Sequence, residues 1–276
     1  MKDKLISYDE IRKIHPIFRG KHGDYLFKLI MKISGLDHVN EIYDKSKHLT
    51  GPAFCKDVLD KLGIQRILRN VEVLDKYNDK PFITVSNHAY GHIDGIAAIE
   101  VVGSRVKDYK MMVNFVLGMI DTMSENFIVV NPFNSDKKRD VTLNGIKECI
   151  DHVRQGHHLG FFPAGAISDF TRKGFKITIA DRKWQPSVVK LIKKAKVPVI
   201  PMHFSGGNSP RFYALRLLGW QVRTLGLCHE LKNKRGKELV ITFGEPIMPE
   251  EMAKYRDIEK LGEFLKSRTY ALGNVK

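Results

Sequence analysis

The chain has 276 residues, 43% hydrophobic and 28% charged, which excludes wholesale disorder and a collagen-like repeat and fits one large domain or two small ones. Lys and Arg number 46 against 31 Asp and Glu, a net charge of +15, so an anionic partner is expected. Three well-separated cysteines, Cys55, Cys149 and Cys228, make neither a disulfide framework nor a zinc ribbon, and point to a reducing cytoplasm.

Residues 1–70 read as a helical cap. Ile11, Ile14 and Phe18 recur at helical spacing, as do Leu26, Ile30 and Ile33, and Gly51-Pro52 opens a further helix that ends near Gly63. The segment around Tyr25, Phe27 and Ile30, with Lys28 and Lys32 interspersed, suits an interfacial amphipathic helix or a helix packed on the core. The N-terminus has no signal-peptide core, and no apolar stretch approaches the ~20 residues needed to span a bilayer.

From residue 71 the period changes. Short β-rich runs occur at 81–85 (PFITV), 127–130 (FIVV), 159–162 (LGFF), 197–202 (VPVIPM) and 239–243 (LVITF). Helical patterns at 96–102, 141–153 and 188–196 separate several of them, so residues 71–276 are expected to form an α/β domain, a mixed sheet flanked by helices. Residues 171–237 hold sixteen Lys and Arg against two acids, Asp181 and Glu230. Phe175, Trp184, Phe204, Phe212, Tyr213 and Trp220 interleave with these charges. Such a run suits an anionic lipid surface, single-stranded nucleic acid or a merely solvated face.

The segment richest in chemistry follows the first β-rich run: Ser86-Asn87-His88-Ala89-Tyr90-Gly91-His92-Ile93-Asp94-Gly95. A His at the C-terminal end of a strand sits where open α/β sheets place their sites. Imidazole accepts protons near neutral pH, and a nearby carboxylate fixes its tautomer. The same spacing is compatible with His88, His92 and Asp94 as metal ligands, or with structural histidines, although Gly91 argues against one regular helix and no H-E-x-x-H is present. Residues 159–168 run from an apolar strand into Pro163-Ala164-Gly165, where small residues let backbone N–H groups approach an oxyanion. No G-x-S-x-G elbow, Walker-A loop or dinucleotide fingerprint is found. Glu100 is expected at the surface, and Trp184 in packing rather than chemistry.

In order, these segments resemble the lysophospholipid (glycerolipid) acyltransferase family, over residues 55–250. Its His-x4-Asp, Phe-Pro-Glu-Gly and Val-Pro-Ile-x-Pro motifs are similar to the His88 segment, to Phe162-Pro163-Ala164-Gly165 and to Val197-Pro198-Val199-Ile200-Pro201. A bacterial branch of hemolysin-like and ornithine- or glycine-lipid-type O-acyltransferases matches further. It shares the longer His-x5-Asp spacing, Asp181-Arg182-Lys183-Trp184-Gln185-Pro186, Gly206-Gly207-Asn208-Ser209 and the Glu230 to Gly236 string.

The resemblance implies a peripheral enzyme on the inner face of the cell membrane, with His88 as general base and Asp94 as its partner. It would move a fatty acyl group from acyl-CoA or acyl-carrier protein to the hydroxyl of a lyso-lipid, with no cofactor and no nucleic acid. Asn87, Tyr90, Gly91, Asn131, Phe162, Pro163, Ala164, Gly165 and Ser168 are the implied substrate-binding residues, with backbone N–H groups near Gly165 at the oxyanion. Two departures stand out. Ala164 replaces the third-motif Glu, and residues 126–133 (NFIVVNPF) carry Asn131 where the family has a phosphate-holding Arg. They favour a lyso-amino-acid lipid over the alternative acceptor, lysophosphatidic acid. A non-enzymatic lipid- or nucleic-acid-binding protein is the reading of another class.

Overall fold

The computed structural model describes residue 25 and residues 35–114, 117–130, 136–173, 176–218 and 220–274. The helices expected within residues 11–33 and the site residue Asn131 lie outside the described residues.

The strands are β1 (Gln65–Arg69), β2 (Ile83–Ser86), β3 (Lys110–Asn114), β4 (Phe127–Val130), β5 (Leu159–Phe161), β6 (Asp169–Lys173), β7 (Lys176–Ala180), β8 (Val199–Phe204) and β9 (Glu238–Phe243). The helices are α1 (Leu36–Ser46), α2 (Gly51–Lys61), α3 (His92–Gly103), α4 (Asp136–Arg154), α5 (Pro186–Ala195), α6 (Pro210–Ala214), α7 (Trp220–Asn233), α8 (Pro249–Ala253) and α9 (Ile258–Ala271), with short 3-10 turns between several of them.

Among the described residues, seven strands form one sheet in the order β1-β9-β8-β2-β5-β3-β4. Every neighbouring pair is parallel except β8 and β9, so the sheet is mixed as the alternating pattern implied. Consecutive strand residues face opposite sides and feed two separate cores. Ile200, Met202 and Phe204 of β8 join Ile241 and Phe243 of β9 on the side covered by α2 and α3. Ile83 and Val85 of β2 join Leu159, Phe161 and Val199 on the side covered by α5 and α9. Central strands buried on both faces read as continuous apolar runs, which is why the sequence exposes them.

β1 is a strand in the segment read as helical. Its sequence QRILR carries two arginines, and it lies at the sheet edge, half-exposed, where charge guards the open side. β3 (KMMVN) was likewise not among the β-rich runs read from the sequence. Glu100 on α3 is buried rather than at the surface, a correction that follows from β1. Arg66 Nη2 lies 2.8 Å from Glu100 Oε1 and 2.7 Å from Asp60 Oδ1 on α2. The pair ties the sheet edge to both helices.

The central strands β2, β5 and β8 are mutually parallel, so their C-terminal ends open on one edge. The loops that follow begin with Asn87, Phe162 and Ser205. The fold thereby gathers the His88 segment, the Phe162–Gly165 turn and the Gly206–Ser209 string, while Val197–Pro201 leads into and begins β8.

Replacing Arg66 with Met leaves the Glu100 carboxylate without its partner and is expected to cost about 2–3 kcal/mol, the low end for a pair that keeps some solvent contact. A further Glu100→Leu change in the same chain should recover most of the loss. Urea midpoints of the two variants check this, and equal destabilisation in both would contradict it.

Candidate active site

Three hydrogen bonds converge on one oxygen of Asp94. His88 Nδ1 lies 3.0 Å from Asp94 Oδ2, and the backbone N–H groups of Tyr90 and Gly91 donate to that oxygen at 2.8 and 3.0 Å. Local sequence explains the arrangement. Gly91 at φ 90° caps α3, a backbone conformation that L side chains rarely adopt. The helix therefore starts at His92 and places Asp94 in its first turn, where a side-chain carboxylate reaches back to the free N–H groups and meets the positive end of the helix dipole. Asp94 is fully buried. Burial pushes its pKa up, while His88 and the two backbone donors act against that.

With Nδ1–H directed at Asp94, the neutral His88 ring carries its lone pair on Nε2. The ring keeps 19% of its side-chain surface exposed. Phe162 stacks on it with centroids 4.1 Å apart and planes 21° from parallel, so the Phe-Pro turn fixes the imidazole plane.

The His88 backbone is clamped on both sides. Its N–H donates to Asp181 Oδ1 at 3.1 Å, and its carbonyl accepts from Ser168 N–H at 2.8 Å. Asp181 is buried and also accepts from Ser168 Oγ (2.6 Å) and Trp184 Nε1 (3.0 Å). The Asp181 N–H donates to the Tyr270 hydroxyl at 2.7 Å, and Lys266 Nζ donates to the Asp181 carbonyl at 2.6 Å, tying the clamp to α9.

A second brace comes from the loop after β8. The Asn87 side chain donates to the Phe204 carbonyl (2.9 Å) and accepts from the Phe204 N–H (2.8 Å), a two-bond link between adjacent strand ends. Asn208 Nδ2 donates to the Tyr90 carbonyl at 3.3 Å, and the Tyr90 hydroxyl donates to the Ser205 carbonyl at 2.7 Å. Ser209 caps α6, and both its N–H (2.9 Å) and its hydroxyl (2.6 Å) donate to Glu230. Burial works to raise the Glu230 pKa, but the Ser209 bonds, Asn233 and the Lys234 charge outweigh it and hold the carboxylate below its usual range. Lys234 in turn donates to the Gly207 carbonyl at 2.5 Å and lies over the Tyr90 ring.

Of the residues read as substrate-binding, Asn87 and Tyr90 are engaged by the protein in these braces. Gly91 caps the helix, Phe162 stacks on His88 and Ser168 belongs to the clamp. Pro163 accepts from Gln185 N–H (2.8 Å), and the buried Ala164 presents its carbonyl to Arg182 Nε (2.7 Å). Gly165 turns with φ +60°, and its own N–H donates to the Phe162 carbonyl at 2.9 Å. That N–H closes the turn, so the Gly165 amide itself is occupied. Trp184 is buried and donates one hydrogen bond, in keeping with a packing role.

His92, four residues from His88, packs inside α3's first turn with a buried Nε2 that has no partner among the described residues. Burial and the neighbouring His88 depress its pKa to about 4, so it stays neutral beside the reactive ring at pH 7. Among the described residues, no group of three or more His, Cys, Asp or Glu is placed to hold a metal ion.

Asp181, Glu230 and Lys234 were not among the candidate site residues, although each lies in a string that carries the resemblance. One signal could have found two of them. Asp181 and Glu230 are the only acids in residues 171–237, and both are buried. An isolated acid within a cationic run is a candidate buried acceptor rather than a solvated charge.

The family described as Acyltransferase matches residues 17–276 of this chain. The chain belongs to that acyltransferase family. Two similar curated proteins are a lyso-glycine lipid O-acyltransferase of Phocaeicola vulgatus, 27% identical over 99% of this chain and 98% of its own length, and one of Bacteroides thetaiotaomicron, 27% identical over 99% of this chain and 100% of its own length. Among solved structures, the 1-acyl-sn-glycerophosphate (LPA) acyltransferase PlsC from Thermotoga maritima aligns with a TM-score of 0.46 at 15% identity, covering 89% of this chain and 91% of that one.

In an acyltransferase of this build, Asp181→Asn disturbs the backbone clamp without touching the His88 side chain. Misplacing a reacting group by about 1 Å costs up to ~100-fold, so kcat is expected to fall at least ~10-fold with KM little changed. Trp184→Phe removes one donor from the far oxygen and should leave kcat within about threefold. Steady-state kinetics of both variants check this, and an unchanged kcat for Asp181→Asn would contradict the clamp's role.

Proposed function

We propose that this acyltransferase moves a fatty acyl group from a thioester donor, acyl-CoA or acyl-carrier protein, to the hydroxyl of a lyso-amino-acid lipid, with His88 as general base. The observation that carries the reading is the His88–Asp94 contact at 3.0 Å, with the carboxylate pinned by two backbone N–H groups and the ring set at the C-terminal edge of the sheet. The names of the two full-length relatives favour a glycine-type lyso-lipid as acceptor. Asn131, in place of the Arg that the resemblance places at an acceptor phosphate, points the same way.

His88 Nε2 removes the proton of the acceptor hydroxyl as its oxygen attacks the thioester carbonyl carbon. Asp94, hydrogen-bonded to Nδ1–H, stabilises the imidazolium that forms. The tetrahedral intermediate collapses with cleavage of the C–S bond, and His88 returns its proton to the departing thiolate. Ester and free thiol are the products. Such proton transfer is worth about 10²–10⁴ in rate. Both donors are anionic, and the +15 charge steers them toward the protein. We place the reaction on the inner face of the bacterial cell membrane, where a lyso-lipid resides. Among the described residues, no helix is long and apolar enough to cross a membrane.

The test supplies acyl-CoA and acyl-carrier protein in turn with lyso-glycine lipid, lyso-ornithine lipid and lysophosphatidic acid, and reads products by mass spectrometry. A lyso-amino-acid lipid is expected to be acylated, with His88→Ala losing at least ~100-fold. Transfer to lysophosphatidic acid alone would overturn the acceptor assignment. Near-wild-type product from His88→Ala would overturn the general base.

A further inference from the structure

β6 and β7 form a separate two-stranded ribbon that pairs with no other strand among the described residues. A two-stranded ribbon has little stability of its own, so what it faces matters. Phe170 and Ile179 are cross-strand partners in its ladder and share one face, and they are 46% and 44% exposed. The neighbouring 3-10 turn Leu215–Leu218 holds Leu217, 89% exposed. Ribbon and turn lie against each other. The Phe170 ring is 5.3 Å from that of Tyr213, and Arg216 Nη1 is 3.6 Å from Asp169 Oδ2. Three of the six exposed large hydrophobic side chains among the described residues therefore belong to the ribbon and to the turn that borders it.

The charges around them are positive in excess. Asp169 is matched by both Arg216 and Arg223, the latter at 2.7 Å, and Asp181 at the end of the ribbon is buried. In sequence, residues 169–180 carry Arg172, Lys173 and Lys176 against Asp169 alone. Exposed apolar residues on a segment of net positive charge match an anionic bilayer, which takes the side chains into its acyl boundary and draws the cations to its headgroups. A merely solvated basic face has no reason to expose Phe, Ile and Leu together.

We infer that the β6–β7 ribbon and the Leu215–Leu218 turn are the surface by which this protein docks on an anionic lipid bilayer. The inference rests on the reading that the acceptor is a lipid, and it names the face that meets it. The ribbon is also joined to the reactive loop. Ser168, just before β6, donates to the His88 carbonyl at 2.8 Å, and Arg223 bridges Asp169 to the Ser168 carbonyl. Docking there ties the loop that carries His88 to the lipid surface through Ser168.

The test uses the full chain and vesicles of phosphatidylcholine, with and without about one-third phosphatidylglycerol, at fixed salt. Wild type is expected to sediment with the anionic vesicles and not with the neutral ones. Leu217→Glu alone, at a site that is almost entirely exposed, should weaken binding several-fold, and Ile179→Glu with Leu217→Glu should weaken it at least tenfold. The double variant should retain its rate with a short-chain, water-soluble acceptor and lose it with a vesicle-embedded one. Equal vesicle binding by wild type and double variant would overturn the proposal. So would unchanged vesicle binding with a selective loss of affinity for acyl-carrier protein, which would make the face a protein-docking surface. Vesicle binding is read without turnover, so a failed acceptor assignment leaves this result standing.

Discussion

The structure depends on how a fully buried carboxylate, Asp94, is kept in company. It sits in the first turn of α3, where two backbone N–H groups and one imidazole N–H converge on a single oxygen. That convergence needs a helix starting at His92, which needs Gly91 in a backbone conformation open to glycine. It also needs His88 to return over the helix end from the tip of β2. The sheet order supplies this by setting β2 between β5 and β8, so that loops on both sides can hold the His88 segment.

Two more buried acids extend the same logic outward. Asp181 gathers the His88 N–H, the Ser168 hydroxyl and the Trp184 indole. Glu230 gathers both donors of Ser209 and draws Lys234 onto the Gly207 carbonyl. Each acid fixes a loop that touches the reactive segment, one from the Phe162 side and one from the Asn208 side. The basic run that surrounds them in sequence is divided among the β6–β7 ribbon, α5 and the α6–α7 segment.

The sequence made parts of this legible for physical reasons. Central strands such as β2, β5 and β8 are buried on both faces, and their unbroken apolar runs marked them to within about two residues. The edge strand β1 and the ribbon carry charge and half-exposed residues, so hydrophobicity alone did not mark them. His88 and Asp94 were legible as a pair because they lie within seven residues on one turn. Asp181 and Glu230 act on the same turn across 93 residues for Asp181 and through Ser209 for Glu230, and no local pattern reports contacts of that range. Glu100 was misplaced because its partner, Arg66, lies on a strand that was not recognised.

The central claim is that Asp94 holds the His88 proton on Nδ1 and leaves Nε2 free to receive the acceptor's proton. Imidazole nitrogen-15 NMR of the resting wild-type protein reads this directly. The account requires a protonated Nδ1 and a bare Nε2 in the neutral His88 ring, with the preference lost in Asp94→Asn. A His88 ring protonated on Nε2, or one whose tautomer ignores the loss of Asp94, would contradict it.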